Sequence, residues 1–144
     1  MAFRGTFDYS LDAKNRLTIP AKFRTALADG VVLAKGIESC VELWRPADYD
    51  QRMTAALHGM NPLSPQARRL QLFFSANAFP AELDSAGRVM VPPPLLDHAS
   101  LSKDVVVAGA GDSLQIWDRQ GWADFNSSLT DEIADITAQL GNAS

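Results

Sequence analysis

Two stretches of this chain place an aspartate four residues ahead of an arginine: Leu11-Asp12-Ala13-Lys14-Asn15-Arg16-Leu17-Thr18-Ile19-Pro20 and Leu83-Asp84-Ser85-Ala86-Gly87-Arg88-Val89-Met90-Val91-Pro92. The chemistry open to them is recognition of charge. An aspartate at the head of a turn accepts backbone N–H groups and can pair with an arginine beyond it. The residue before the arginine must take φ > 0, which glycine adopts freely and asparagine next most readily. Gly87 and Asn15 hold that position. Asp12, Asn15, Asp84, Gly87 and Arg88 therefore read as a structural turn motif. The first turn carries more. Lys14 is at its tip, Arg16 follows, Arg4 lies on the same expected hairpin, and Lys22 and Arg24 open the next segment. Basic side chains at a loop tip and a helix start suit phosphates, and arginine can also read guanine edges with two bonds. Arg4, Lys14, Arg16, Lys22 and Arg24 are the candidate DNA-binding residues.

The net charge of −4 over 144 residues argues mildly against a nucleic-acid partner. Fields are screened beyond roughly 8–10 Å, so local distribution matters more than the total. Residues 1–24 hold those five basic side chains against Asp8 and Asp12, a net of +3. Residues 75–101 hold only Arg88 against Glu82, Asp84 and Asp97, a net of −2. Residues 118–144 hold Arg119 against Asp118, Asp124, Asp131, Glu132 and Asp135, a net of −4. From charge alone, the first turn is expected to bind DNA and the second to support the fold.

Other chemistries find little footing. There is no Walker loop, no His-Glu-x-x-His and no Cys-x-x-Cys. His58 and His98 are isolated and read as helix-end or surface residues. Asp12 and Asp84 could be imagined as a carboxylate dyad, but Arg16 and Arg88 would keep both ionised, which is poor for a general acid. No cofactor, metal site or catalytic residue is expected. The single cysteine, Cys40, lies in an apolar stretch and reads as a small core residue. No apolar run approaches the roughly 18 residues of a membrane helix, and Met1–Ser10 lacks the pattern of a signal peptide. The expected location is cytoplasmic.

The elements that must position the turns come in two similar sets. The motif repeats at an offset of 72 residues; Val31-Val32-Leu33 returns as Val105-Val106-Val107, and Val41-Glu42-Leu43-Trp44 as Leu114-Gln115-Ile116-Trp117. Such ordered similarity points to an internal repeat. Each copy predicts a strand (about 3–11 and 76–83), the turn, a short strand (16–19 and 88–91) and a proline-started helix (22–28 and 94–99). Two more strands follow (31–34 with 41–44, and 104–108 with 114–117), then a closing helix. The first closing helix begins near Pro46 and ends at His58-Gly59; the second begins at Asp118 as N-cap. Ser64 caps a further helix with Pro65 at its first position. Its Ala67, Leu70, Phe73 and Phe74 share one face. Trp122, Phe125, Leu129, Ile133, Ile136 and Leu140 make the last helix amphipathic. It is expected to pack on its own sheet; the alternative is that part of it packs on a neighbouring subunit. The units read as 1–60 and 77–144, joined by a loop and helix at 61–76.

Phe3-Arg4-Gly5, the two Asp-x-x-x-Arg turns, Asn61-Pro62, Arg68-Arg69-Leu70-Gln71 and the Glu/Gln-x-Trp near each unit's end closely resemble the MraZ family from Met1 to about Phe125. Asn15 stands where that family usually has glycine. The resemblance implies an α+β fold in the AbrB-like swapped-hairpin group. Tandem duplicated hairpin–helix units would form a pseudo-symmetric, β-barrel-like core with flanking helices. It also implies a nucleoid-associated transcriptional regulator, as a homo-oligomeric ring, on double-stranded DNA carrying short direct repeats upstream of the division and cell-wall gene cluster. A protein-interaction scaffold without DNA binding is the alternative, suited to the acidic tail.

Overall fold

The computed structural model describes residues 2–142; Met1, Ala143 and Ser144, which hold the expected outer limits of the two units, lie outside the described residues. The chain is α+β. Its order is β1 (Thr6–Ser10), β2 (Arg16–Thr18), β3 (Val31–Lys35), β4 (Val41–Trp44), α1 (Pro46–Leu57), α2 (Pro65–Ala76), β5 (Ala78–Ala81), β6 (Arg88–Met90), α3 (Pro93–His98), β7 (Asp104–Gly109), β8 (Leu114–Asp118) and α4 (Arg119–Asn142). Six strands make one antiparallel sheet in the order β1-β7-β8-β4-β3-β5, and β2 pairs with β6 in a separate two-stranded ribbon.

The hairpins β3–β4 and β7–β8 form as expected, with Leu33 opposite Leu43 and Val107 opposite Ile116. The strands around the two turns do not close the local hairpins read from the residues and pair across the halves instead. β1 lies along β7, with Phe7 opposite Val107, and β5 lies along β3, with Phe79 opposite Leu33. β2 and β6 pair with each other, Leu17 opposite Val89. The reason is burial. Leu17 is 0% and Val89 2% exposed, and pairing side by side takes both into the one core.

The expected barrel-like closure is not there. The sheet ends in two edges, β1 and β5, and the ribbon lies across one face instead of extending the sheet. Pro80, in β5, has no N–H to offer a further strand, as suits an edge. Alternation along the strands sorts side chains between two layers. Val31, Leu33, Val41, Leu43, Val105, Val107, Leu114 and Ile116 face the ribbon residues Leu17 and Val89 together with Phe23, Leu27 and Leu95. Val32, Ala34 and Trp44 face the other way, onto Tyr49 of α1 and Phe74 of α2.

Local signals explain the helix starts. The Ser64 hydroxyl accepts the Ala67 N–H at 3.2 Å, and the Asp118 carboxylate accepts the Gly121 N–H at 3.1 Å. α1 stops at His58, where Gly59 takes φ +80°. The helix expected over 22–28 is shorter than predicted. Only Ala21–Phe23 is a 3-10 turn, and Arg24, Leu27 and Ala28 donate to carbonyls three residues back, not four. Cys40 is fully buried, and burial, with Glu42 and Glu38 near, pushes its thiol up to about 12, which makes it inert. The His98 ring Nε2 sits 3.0 Å from the Gly36 carbonyl, pinning α3 to the β3–β4 loop. The expectation that α4 packs on its own sheet holds only for its first turns. Trp122 and Phe125 lie on Trp117 with ring centres 5.8 and 4.6 Å away, but Ile133 and Leu140 are 51% and 69% exposed.

Candidate nucleic-acid interface

The two turns match bond for bond. In the first, one Asp12 carboxylate oxygen accepts the Lys14 and Arg16 N–H groups, each at 2.9 Å, and the other accepts Arg16 Nε at 2.7 Å. In the second, Asp84 accepts the Ala86 and Arg88 N–H groups at 3.0 and 2.9 Å and Arg88 Nε at 2.9 Å. Asn15 stands at φ +58° and Gly87 at φ +75°, the left-handed conformation expected of both. The Arg16 and Arg88 backbone N–H groups, aided by their guanidinium heads, hold both carboxyls below the ordinary aspartate range. Each turn also clasps the other. Val91 N–H donates to the Asn15 carbonyl, and Ile19 N–H to the Gly87 carbonyl, both at 2.9 Å.

This clasp sets the ribbon's direction. Arg16 pairs with Met90, Leu17 with Val89 and Thr18 with Arg88. Successive residues alternate faces, so burying Leu17 and Val89 turns Arg16, Thr18, Arg88 and Met90 outward together. Each arginine gives its Nε to an aspartate, and among the described residues its two terminal nitrogens carry no hydrogen bond within the chain. A pair of outward donors on a head fixed by Asp is the geometry that a phosphate or a guanine edge takes up with two bonds.

The other candidates are rearranged. Lys14 is exposed at the first tip, as expected. A groove of about 480 Å³ beside it is lined by Leu11, Asp12, Ala13, Asn15, Leu101, Ser102 and Lys103. This brings in Lys103, a basic residue that sequence reasoning missed because nothing local ties it to the turn. Arg24 leaves the first turn altogether. Its Nε donates to the Ile19 carbonyl at 3.0 Å, and its guanidinium packs against Gly87, so that a β-carbon there would collide with it. Arg24 thus supplies positive charge to the second turn, which looked acidic in sequence. Lys22 sits over the Phe7 and Phe23 rings, 4.8 and 5.2 Å from their centres. Arg4 is not brought to the first turn. It lies at the far end of β1 against Gly109, about 27 Å of extended chain from Asp12.

Comparison with known proteins agrees with the resemblance in the motifs. The family profile described as "MraZ protein, putative antitoxin-like" matches this chain twice, over residues 2–73 and 74–140. A protein of Salinispora arenicola is 41% identical over 134 residues, covering 93% of this chain and 94% of its own. One of Leuconostoc mesenteroides is 36% identical over 138 residues, covering 96% of each. One of Heliobacterium modesticaldum is 33% identical over 138 residues, again covering 96% of each. All three carry the name "Transcriptional regulator MraZ".

Proposed function

The chain belongs to the MraZ family, and from that premise we propose that it is a DNA-binding transcriptional regulator whose reading surface is the outward face of the β2–β6 ribbon. The observation that carries this reading is that Arg16 and Arg88 share one face, each held by its aspartate through Nε, with the two terminal nitrogens of each unbonded among the described residues. A two-stranded ribbon is one of the elements that the major groove admits. Lys14, Lys103 and Arg24 lie near it and suit phosphates; Lys22 and Arg4, both exposed, would serve only the flanks of a longer contact. The chain acts through binding and not catalysis.

The matching turns and the two profile matches support a reading of the chain as two copies of one unit, 1–60 and 77–144, bridged by 61–76. The functional assembly is a homo-oligomeric ring with head-to-tail contacts, which present the ribbon in the same sense from each subunit. That arrangement suits direct repeats about one helical turn apart, roughly 10 bp, rather than a palindrome. The proposed target lies upstream of the division and cell-wall genes, on the nucleoid. Among the described residues, no helix is long and apolar enough to cross a membrane.

The test is a gel shift with duplex DNA from upstream of the protein's own gene, repeated across a salt series. Affinity is expected to fall with a log–log slope of about −0.9 for each phosphate neutralised. No retention, or retention indifferent to salt, overturns the reading in favour of a scaffold that does not bind DNA.

A further inference from the structure

We propose that the distal half of α4 docks on the outward face of α2 of a second copy of this chain. This rests on the reading that the chain assembles with itself, and it assigns the two surfaces that meet. The apolar stripe on α4 repeats every eleven residues: Trp122 returns at Ile133, Phe125 at Ile136, Leu129 at Leu140. That spacing is close to a whole number of α-helical turns, so the stripe runs nearly straight along the helix. Its first part is covered by Trp117 of the same chain. Its second part is bare, with Leu129, Ile133, Ile136 and Leu140 between 36% and 69% exposed.

The charges decide what can cover it. Beyond Arg119, α4 carries Asp124, Asp131, Glu132 and Asp135 and no basic residue. None of the last three joins an ion pair among the described residues. Pairing α4 with α4 would set like charges side by side. The complementary surface is on α2. Ala67 and Phe74 face its own core, which turns Arg68, Arg69 and Leu72 outward. Leu72 is 66% exposed and flanked by the two arginines, neither of which has an ion-pair partner among the described residues; Leu63, 79% exposed, precedes the helix. The lengths agree as well: Leu129 to Leu140 spans about 17 Å of helix and α2 about 18 Å. The two surfaces are different patches, so a head-to-tail contact leaves the α2 of one copy and the α4 of the other unfilled, the condition for a ring or a chain.

Light scattering of the full-length protein tests this through charge reversal. Arg68→Glu with Arg69→Glu, and separately Asp131→Lys with Glu132→Lys and Asp135→Lys, should each raise the concentration needed for assembly about tenfold or more. The variant carrying both sets should recover assembly. A Leu72→Cys copy mixed with an Ile136→Cys copy should form an intermolecular disulfide that neither gives alone. Assembly unmoved by either reversal, or cross-linking of Ile136→Cys with itself, would overturn the interface while self-assembly stands. A monomer at tens of micromolar would overturn both. Gel shift of the same variants reports on DNA binding separately.

Discussion

Arg16 and Arg88, 72 residues apart in sequence, stand on the same outward face of one three-residue ribbon, Arg16 across from Met90 and Arg88 across from Thr18. Their side chains are 30% and 34% exposed, and each is tethered to its aspartate through Nε. Charge counted along the chain separates these residues into a binding turn and a supporting turn; the ribbon puts them side by side.

Alanine substitution distinguishes the two pictures. Arg16→Ala should lower specific DNA affinity by about 1–3 kcal/mol per reading head, the worth of a two-bond base contact. Arg88→Ala should lose a smaller part, since Ser85 and Ala86 stand where the first turn has Ala13 and Lys14. Both proteins should keep their melting temperature within a few degrees. Gel shift and thermal melting check this. Wild-type affinity in Arg88→Ala would restrict reading to the first turn.

Asp12→Asn separates cap from tether. The amide oxygen can still accept the Lys14 and Arg16 N–H groups, but its NH₂ cannot accept Arg16 Nε. The fold should survive and DNA affinity should drop, because the arginine head is released. Circular dichroism alongside gel shift gives the comparison.

Acid titration follows from the same pair. Asp12 and Asp84 have folded-state values depressed below about 3.9, so their contribution is fully present above that value and lost as pH falls through the lower, folded one. These two groups should leave stability flat between about pH 8 and 5 and weaken it only below about pH 4. Wild type and Asp84→Asn should therefore differ in slope only on the acid side, as denaturant melts at each pH would show.

Gly87→Ala should destabilise by about 1–3 kcal/mol, because alanine at φ +75° is strained and its β-carbon meets the Arg24 guanidinium. Asn15→Gly should change stability by less than about 1 kcal/mol, since both residues accept φ near +58°. Urea melts of the pair test whether Arg24 belongs to the second turn.

The chain cut near residue 76 gives the strongest check on the strand exchange. β1 loses β7, β2 loses β6 and β4 loses β8 when the halves part. Neither piece should fold as a monomer, and mixing should restore native circular dichroism. A first half that is monomeric and folded by itself would show that the exchange is dispensable.

What the sequence determined by itself is local. Asp12 and Asp84 announce their turns, Asn15 and Gly87 their left-handed backbone, Ser64 and Asp118 the starts of α2 and α4, and the β3–β4 and β7–β8 hairpins lie between short loops. Each depends on groups a few residues apart. The motifs also carried the family. Partnership comes from the packing of the whole chain: β1 with β7, β2 with β6, β5 with β3, Arg24 moved to the second turn, Lys103 brought to the first, Arg4 left at the far end of its strand, and half of α4 uncovered. A strand's backbone offers the same donors and acceptors to any partner, and its in–out alternation says which side is buried but not against what. The choice is made where Leu17 and Val89 must enter one core at once, and that condition exists only when both halves are present.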